Sequence, residues 1–408
     1  MSDAQYLRLA LRLARRGYGT TSPNPMVGAA LVKGGKIIGR GWHRQAGGPH
    51  AEIEALHDAQ RHGHAPRGAT LYVTLEPCCT HGRTPPCTTA IIAAGIKRVI
   101  SGATDPNPKH AGKGFEILTR AGIHVTALHE HPPLLAAECT RLNEAFNHWI
   151  IRRMPFVTVK SAMTLDGKIA TVGGESKWIT GEKARAFGMK LRRGSDAILV
   201  GINTILTDDP SLNVRTRRED EGGRMAKPIR RIVLDSMART PLTARVVKDE
   251  FAAFTTIVVS KQAPKKRAAA LAKRVSVLVA PTAKPISRGT RHPSLDLRWL
   301  LKKLGSQDVT SLLVEGGGEV NASFLLGGLA QRVAFFYAPK VLGGREARKS
   351  VAGAGATSLR DVVRLKGVRW RKVGEDLLLT ASVQPGGNSS LALPTRKPKA
   401  VASGADLA

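Results

Sequence analysis

Aromatic residues make up only 4% of the 408-residue chain, a thin supply for the stacking platforms that bind single-stranded nucleic acid. Acidic residues are also scarce, 31 against 63 Lys and Arg, for a formal charge of +32. Lys and Arg exceed Asp and Glu by nine in residues 1–153 and by 23 in residues 154–408, so no single arm carries the excess. A dispersed positive field draws anions of every kind, phosphorylated metabolites and nucleotide cofactors among them. No run of about 18 apolar residues offers a membrane span. The opening MSDAQYLRLALRLARRG lacks the apolar stretch of a secretory signal and reads as an amphipathic helix, and Asp3 argues against an organellar transit peptide. Cysteines number four, and three of them, Cys78, Cys79 and Cys87, fall within ten residues. That clustering suits metal binding in a reducing compartment, the cytoplasm, better than a disulfide framework. The fourth, Cys139, reads as a core cysteine.

What is present is globular: 42% hydrophobic residues over a length that exceeds one ordinary core, so two domains are expected. MVGAALVKGGKIIGRGWH reads as a hairpin about a Lys-Gly-Gly turn. AEIEALHDAQRHG has helical spacing, TLYVTLEP reads as a strand, CTTAIIAAG as a short helix stopped at Gly95, and KRVISGATDP as a strand. A second series starts after the basic hinge IIRRMP. Strand-like runs recur at DAILVG, RRIVLDS, TTIVVS, VSVLVA, TSLLVEGGG and RVAFFYAP, and their alternation with helices predicts a largely parallel, helix-covered sheet. The boundaries expected are 1–150 and 154–384, with a disordered tail at 385–408, where Pro, Gly, Ser and Ala replace large apolar residues.

His50-Ala51-Glu52, then Pro77-Cys78, then Pro86-Cys87 supply the parts of a catalytic zinc site: one His and two Cys ligands with an open position for water. A carboxylate that does not ligate must then move protons, and Glu52, two residues from His50 at a helix start, is placed for it. His50 is expected in the first turn of that helix. Cys79 adjoins Cys78 and could also coordinate; Cys78 is preferred because it follows Pro77 directly. His43, His57, His62, His64 and His81 are weaker ligand candidates. Further on, VEGGG followed by EVNASFLL is a strand running into a glycine turn and a helix, a place where backbone N–H groups can meet a phosphate. DAILVGINTILTDDP repeats the idea, and two such turns at strand carboxyl ends make the crevice in which open α/β sheets hold ligands.

TSPNPMVGAALV, HAE, LEPCCTHGRTPPC and GATDPNPKHAGKG together resemble the deaminase half of the bifunctional riboflavin-biosynthesis deaminase-reductases. VKSAMTLDGKIAT, GESKWITG, LRRGSDAILVGINTILTDDPSLNVR and LLVEGGGEVNASFL resemble the reductase half, in order, so the resemblance spans about residues 1–384. It implies a cytidine-deaminase-like three-layer α/β domain followed by a dihydrofolate-reductase-like α/β domain. It implies hydrolytic deamination of 2,5-diamino-6-(5-phosphoribosylamino)pyrimidin-4(3H)-one with one Zn2+. NADPH-dependent reduction of the ribosyl chain of 5-amino-6-(5-phosphoribosylamino)uracil to ribityl would follow. His50, Cys78 and Cys87 would ligate zinc, Glu52 would carry the proton, and Asn24 would help hold the pyrimidine. Ala162, Trp178, Thr204, Asp208 and the turn Gly317, Gly318, Glu319, Val320, Asn321, Ala322 and Ser323 would meet NADPH. Ser176, Arg192, Leu212, Arg215 and Glu315 would meet the substrate, arginine being suited to phosphate by its planar fork. Lys160 and Asp166 are the polar groups expected to orient or protonate the sugar. A homo-oligomer is expected, with neither nucleic acid nor membrane as partner. Such enzymes usually carry His or another polar residue two positions after the first cysteine. Here that position is Thr80, with His81 next, which leaves open what in this loop meets the substrate. The alternative reading is an RNA-binding adenosine deaminase with an appended basic domain, suggested by the charge and the zinc motif.

Overall fold

In the computed structural model of the protein, the described residues are 1–81, 85–127, 133–214, 228–283 and 295–384; Arg215 and the expected tail at 385–408 lie outside them. The first half runs α1 (Asp3–Ala14), β1 (Gly28–Lys33), β2 (Lys36–Trp42), α2 (Ala51–Arg61), β3 (Thr70–Val73), α3 (Cys87–Ala93), β4 (Arg98–Ser101), α4 (Lys113–Arg120), β5 (His124–Ala127), α5 (Pro133–Leu142) and α6 (Glu144–Arg152). Its sheet has the order β2-β1-β3-β4-β5, with β1 antiparallel to both neighbours and β3, β4 and β5 parallel. The hairpin expected at residues 27–41 is present, and Gly34 and Gly35 take the positive φ angles its turn requires. β1 reads as a continuous apolar run because helices cover both faces of the sheet. Leu7 and Leu11 of α1 pack with Tyr72, Ile100 and the buried Cys139 on one side. Ala51, Ala55 and Ala59 of α2 pack with Leu31, Leu71 and Val99 on the other. Alanines at that spacing let α2 sit close, and a Cβ at Gly39 or Gly41 of β2 would strike the carbonyl oxygens of Ala55 and Ala51.

The second half runs β6 (Phe156–Thr164), β7 (Lys168–Ala170), α7 (Glu182–Arg193), β8 (Ala197–Gly201), α8 (Ile202–Asp208), β9 (Arg230–Leu234), α9 (Arg245–Lys248), β10 (Thr255–Ser260), α10 (Lys265–Ala272), β11 (Ser276–Ala280), α11 (Leu297–Gly305), β12 (Ser311–Val314), α12 (Gly318–Leu325), β13 (Arg332–Ala338), β14 (Arg348–Lys349), β15 (Leu365–Val373) and β16 (Asp376–Val383). A nine-stranded sheet takes the order β11-β10-β9-β8-β12-β6-β13-β16-β15, and β7 pairs with β14 separately. From β11 across to β13 each strand of the large sheet lies parallel to the next; β16 and β15 add an antiparallel edge that the apolar runs do not announce. Separate cores form about Leu199, Val258 and Phe324, and about Ile198, Val233 and Ile257.

Polar contacts join the halves. The Trp149 indole N–H donates to Gly305 O at 2.8 Å, and the Tyr18 hydroxyl donates to Lys190 O at 3.1 Å. Arg332 forms an ion pair with Glu144. The Asn143 side chain closes a loop by accepting from Met26 N at 2.7 Å and donating to Met26 O at 2.9 Å.

Candidate active sites

His50 is the residue before α2 rather than in its first turn, because its backbone is extended (φ −74°, ψ 164°). Its carbonyl still accepts from Glu54 N at 3.0 Å and starts the helix, while its ring is free to turn toward the cysteines. Cys87 opens α3 behind Pro86, and Cys78 lies in the loop after β3. His50 Nδ1 is 3.3 Å from Cys87 Sγ and 3.4 Å from Cys78 Sγ, and the three ligand atoms lie within 4.8 Å of one another. Two ligands on one tetrahedral zinc, with Zn–S about 2.3 Å and Zn–N about 2.0 Å, stand about 3.5 Å apart. The donor set therefore fits zinc.

The charge balance agrees. Cys78 is held down to about 4 by hydrogen bonding with Cys87, against its burial and with help from His50. Cys87 is pushed far up, chiefly by the Cys78 sulfur beside it and by burial. Without a cation the pair holds one negative charge, and two thiolates require the dication. Cys79 stands apart, its Sγ 3.6 Å from His110 Nδ1, and His57, His62, His64 and His81 are exposed.

Glu52, 3% exposed, lines the same cavity of about 260 Å³ as His50 and Cys78. Burial pushes its carboxyl up to about 7, His50 opposing. Asn24 lines the cavity too, its amide nitrogen 3.2 Å from His43 Nε2. His43 is buried, its Nδ1 2.9 Å from Pro49 O and its ring edge-on to His50; it belongs to the wall, not to the ligand cluster. The opposite wall comes from residues 105–110. Its position depends on buried Glu76, whose carboxylate accepts from the backbone N–H groups of Asp105, Gly112 and Gly114 at 3.0, 3.0 and 2.9 Å. Asp105, Asn107 and His110 of that wall were not legible as site residues, because nothing in their spacing ties them to His50.

The second cavity, a cleft of about 500 Å³, opens over the ends of β8 and β12. There α8 leads away toward β9 on one side and α12 toward β13 on the other, a switch point in strand order. Ser176, Thr204, Asp208, Glu315, Gly317, Gly318, Glu319 and Val320 line it. The glycine turn is tight by necessity. A Cβ at Gly316 would meet Val320 at 2.5 Å and one at Gly318 would strike Lys349 O, whereas Gly317 faces open space. Open backbone at a helix start, in a cleft this size, fits the phosphates of a dinucleotide.

Glu315 sits beneath, accepting from Arg192 Nε and Nη2 at 2.9 Å each, with Lys160 Nζ at 3.7 Å. Burial pushes its carboxyl up, but Lys160 and Arg192 prevail and hold it at about 2. The fork of Arg192, expected on a phosphate, is thus engaged by Glu315 and by Asn213 O. Asp166 does not line the cleft: it is exposed and accepts from Thr164 Oγ1 (2.6 Å) and from the N–H groups of Leu342 (3.0 Å) and Gly343 (2.7 Å), so it fastens the turn after β6. Leu212 and Ala322 are buried and Ala162 packs into a core. Asn321 donates to Ser350 O, Ser323 to Glu319 O, and Trp178 is exposed under Arg185. These residues support or flank the cleft rather than line it. Arg348 and Lys349, brought to the rim by β14, are lining cations that the sequence did not single out.

Residues 1–103 match the cytidine and deoxycytidylate deaminase zinc-binding region, and residues 155–379 match the RibD C-terminal domain. The riboflavin biosynthesis protein RibD of Actinobacillus pleuropneumoniae is 43% identical over 93% of this chain and 95% of its own. That of Aquifex aeolicus is 42% identical over 92% and 97%. Among solved structures, RibD of Acinetobacter baumannii superposes with a TM-score of 0.79 at 34% identity, covering 94% of this chain and 99% of its own. A diaminohydroxyphosphoribosylaminopyrimidine deaminase/5-amino-6-(5-phosphoribosylamino)uracil reductase of Thermotoga maritima gives 0.76 at 33%, with the same coverage. Identity at this level across nearly the whole chain, through both halves, places the protein in the RibD family of bifunctional riboflavin-biosynthesis enzymes, which join a zinc-dependent deaminase to an NADPH-dependent reductase.

Proposed function

We propose that the first cavity deaminates 2,5-diamino-6-(5-phosphoribosylamino)pyrimidin-4(3H)-one and that the second cleft reduces the ribosyl chain of 5-amino-6-(5-phosphoribosylamino)uracil. The activities divide along the chain at 1–150 and 154–384. The observation that carries the first assignment is the convergence of His50, Cys78 and Cys87 beside the buried carboxyl of Glu52 in one cavity. Zinc held by His50, Cys78 and Cys87 would lower the pKa of a water molecule toward about 7. Glu52 is placed to accept a proton from the attacking water and to return it to the departing amine, and its burial keeps bulk water from competing for the transfer. Asn24 and His43 form a hydrogen-bonding edge for the pyrimidine. The amidine C–N bond breaks, a C=O forms, and ammonia leaves.

In the second cleft, NADPH supplies the hydride. The open Gly317 turn and the rim cations Arg348 and Lys349 suit its phosphates. Ser176 and the ionised Glu315 face the same space and hold sugar hydroxyls. Lys160, 3.7 Å from Glu315, is the second cation at that carboxylate after Arg192 and the candidate for stabilising charge on the reduced group. Asp166 acts here by holding the turn above.

The nine-residue edge strand β15, with Val368 and Trp370 exposed, supports a homo-oligomer, which light scattering would show as a mass above 43.6 kDa. Four free cysteines suit the cytoplasm. Zinc-loaded protein incubated with the diamino substrate is expected to release ammonia without NADPH, then to consume NADPH once it is added. NADPH consumption from the unreacted diamino substrate, or ammonia release that waits for NADPH, would overturn this division of labour.

A further inference from the structure

The loop that follows Cys78 leads to a group that neither proposed step uses. His81 is exposed and is not part of the cavity lining. The imidazole that does line the cavity beside this loop is His110, from the separate segment between β4 and α4. Its Nε2 lies 3.3 Å from Thr80 Oγ1 and its Nδ1 3.6 Å from Cys79 Sγ.

The placement is built, not incidental. Glu76 ties the backbone of Asp105, Gly112 and Gly114 to the end of β3. His110 N donates to Asn107 O at 2.9 Å, and Asn107 N donates to Asp105 Oδ1 at 2.8 Å. The start of α4 packs so closely on the residue before Cys78 that a Cβ at Gly114 would strike Pro77 O. Lys113, the first residue of α4, is exposed, three residues from His110 and close enough to Cys79 to favour its thiolate.

We propose that His110, with Thr80 and Lys113, is a phosphate-recognition site at the rim of the deaminase cavity and receives the phosphate-bearing arm of the substrate. It rests on the deaminase reading above. The ligand cluster and Glu52 fix where the reacting end must lie, and Asn24 with His43 occupies another wall. The wall that carries His110 meets the exposed Thr80 at the surface, an exit open to the arm. A hydroxyl and an imidazole nitrogen 3.3 Å apart can both donate to oxygens of one phosphate, and an ammonium beside them supplies charge. The acids of this wall are turned to backbone donors and not to the His110 ring: Glu76 accepts from three backbone N–H groups and Asp105 from Asn107 N. His110 is thus a specificity residue for a phosphate monoester, contributed from outside the cysteine loop.

The test uses the full zinc-loaded chain and reads ammonia release from the phosphorylated substrate and from its phosphate-free counterpart. Removing the phosphate should lower kcat/KM of the wild type by at least about tenfold, the loss expected for a charged hydrogen bond. His110→Ala should raise KM for the phosphorylated substrate by a similar factor while kcat stays within about threefold, and should change nothing further for the phosphate-free one. Ribose 5-phosphate should inhibit ammonia release by the wild type and lose most of that effect on His110→Ala, with His110→Gln, which keeps an N–H donor, in between. Zinc content and NADPH-dependent reduction should be unchanged. A variant that still discriminates against the phosphate-free compound as the wild type does, that loses kcat alone, or that loses zinc overturns this assignment and spares the deaminase reading. No ammonia from the wild type overturns both.

Discussion

At the scale of single residues, the two cavities treat their carboxylates in opposite ways. Glu52 is buried with no cation bound to its oxygens, and burial raises it to about 7; Glu315 is buried between Lys160 and Arg192 and held at about 2. One is poised to exchange a proton, the other to stay charged. Glu52→Gln keeps the shape but cannot carry a proton, so ammonia release should fall by at least about a hundredfold. NADPH oxidation with the deaminated product should stay within error, and loss of both would sink the assignment of separate sites. For Glu315, the folded value of about 2 lies below the usual 4.5, so its ionisation stabilises the fold above pH 4.5, and that contribution is lost as pH falls toward 2. Of roughly 3 kcal/mol in all, about 2 should be gone by pH 3. Urea unfolding of Glu315→Gln should therefore show a smaller drop in stability between pH 7 and pH 3 than the wild type. An identical drop would mean that the carboxylate is not pinned by Lys160 and Arg192.

At the scale of elements, the zinc ligands owe their positions to how closely α2 lies on β2. A Cβ at Gly41 would collide with Ala51 O, in the first turn of the helix that His50 precedes and Glu52 joins. Gly41→Ala should push that helix start outward and lower zinc content per chain, read by metal analysis, with reductase activity kept; full zinc occupancy would show that the helix start tolerates the shift. The strands of this fold were legible where they are buried on both faces, since AILVG, TIVVS and SLLV have no polar side to mask the run. β15 was not, because LKGVRWRKV is exposed along most of its length and its charges read as loop. The zinc trio was legible because each ligand sits in a short, stiff segment: His50 behind Pro49, Cys78 behind Pro77 and Cys87 behind Pro86. His110 was not, since only the parallel pairing of β3 with β4 and the Glu76 clamp bring it beside Thr80. The glycine turn was read correctly as a strand-to-helix junction, but sequence could not show that Asn321 and Ala322 face inward while Gly316 through Val320 reach the cleft.

At the scale of the whole molecule, the contacts between the halves leave the zinc ligands alone. Trp149 to Gly305, Tyr18 to Lys190 and Glu144 to Arg332 all run through the region around α6 and α7, whereas His50, Cys78 and Cys87 lie about the core shared by α2, α3 and β3. Metal binding should accordingly be linked to the stability of the first half. Removing a ligand that binds only the folded state lowers apparent stability by RT ln(1 + [L]/Kd), about 4 kcal/mol at a thousandfold excess over Kd. Without the cation, Cys78 Sγ and the buried Cys87 Sγ would have to share one proton. Dialysis against a chelator should abolish ammonia release and bring forward the part of the melting curve that belongs to residues 1–150. The Glu315 pair and the Gly317 turn draw on no residue of that half, so NADPH-dependent reduction of the deaminated product, measured on the same stripped sample, should hold within about twofold of its starting rate. Re-addition of zinc should restore ammonia release. If reduction collapses together with deamination, the interface through Trp149 transmits the loss, and the two halves fold as one cooperative unit despite their separate sheets.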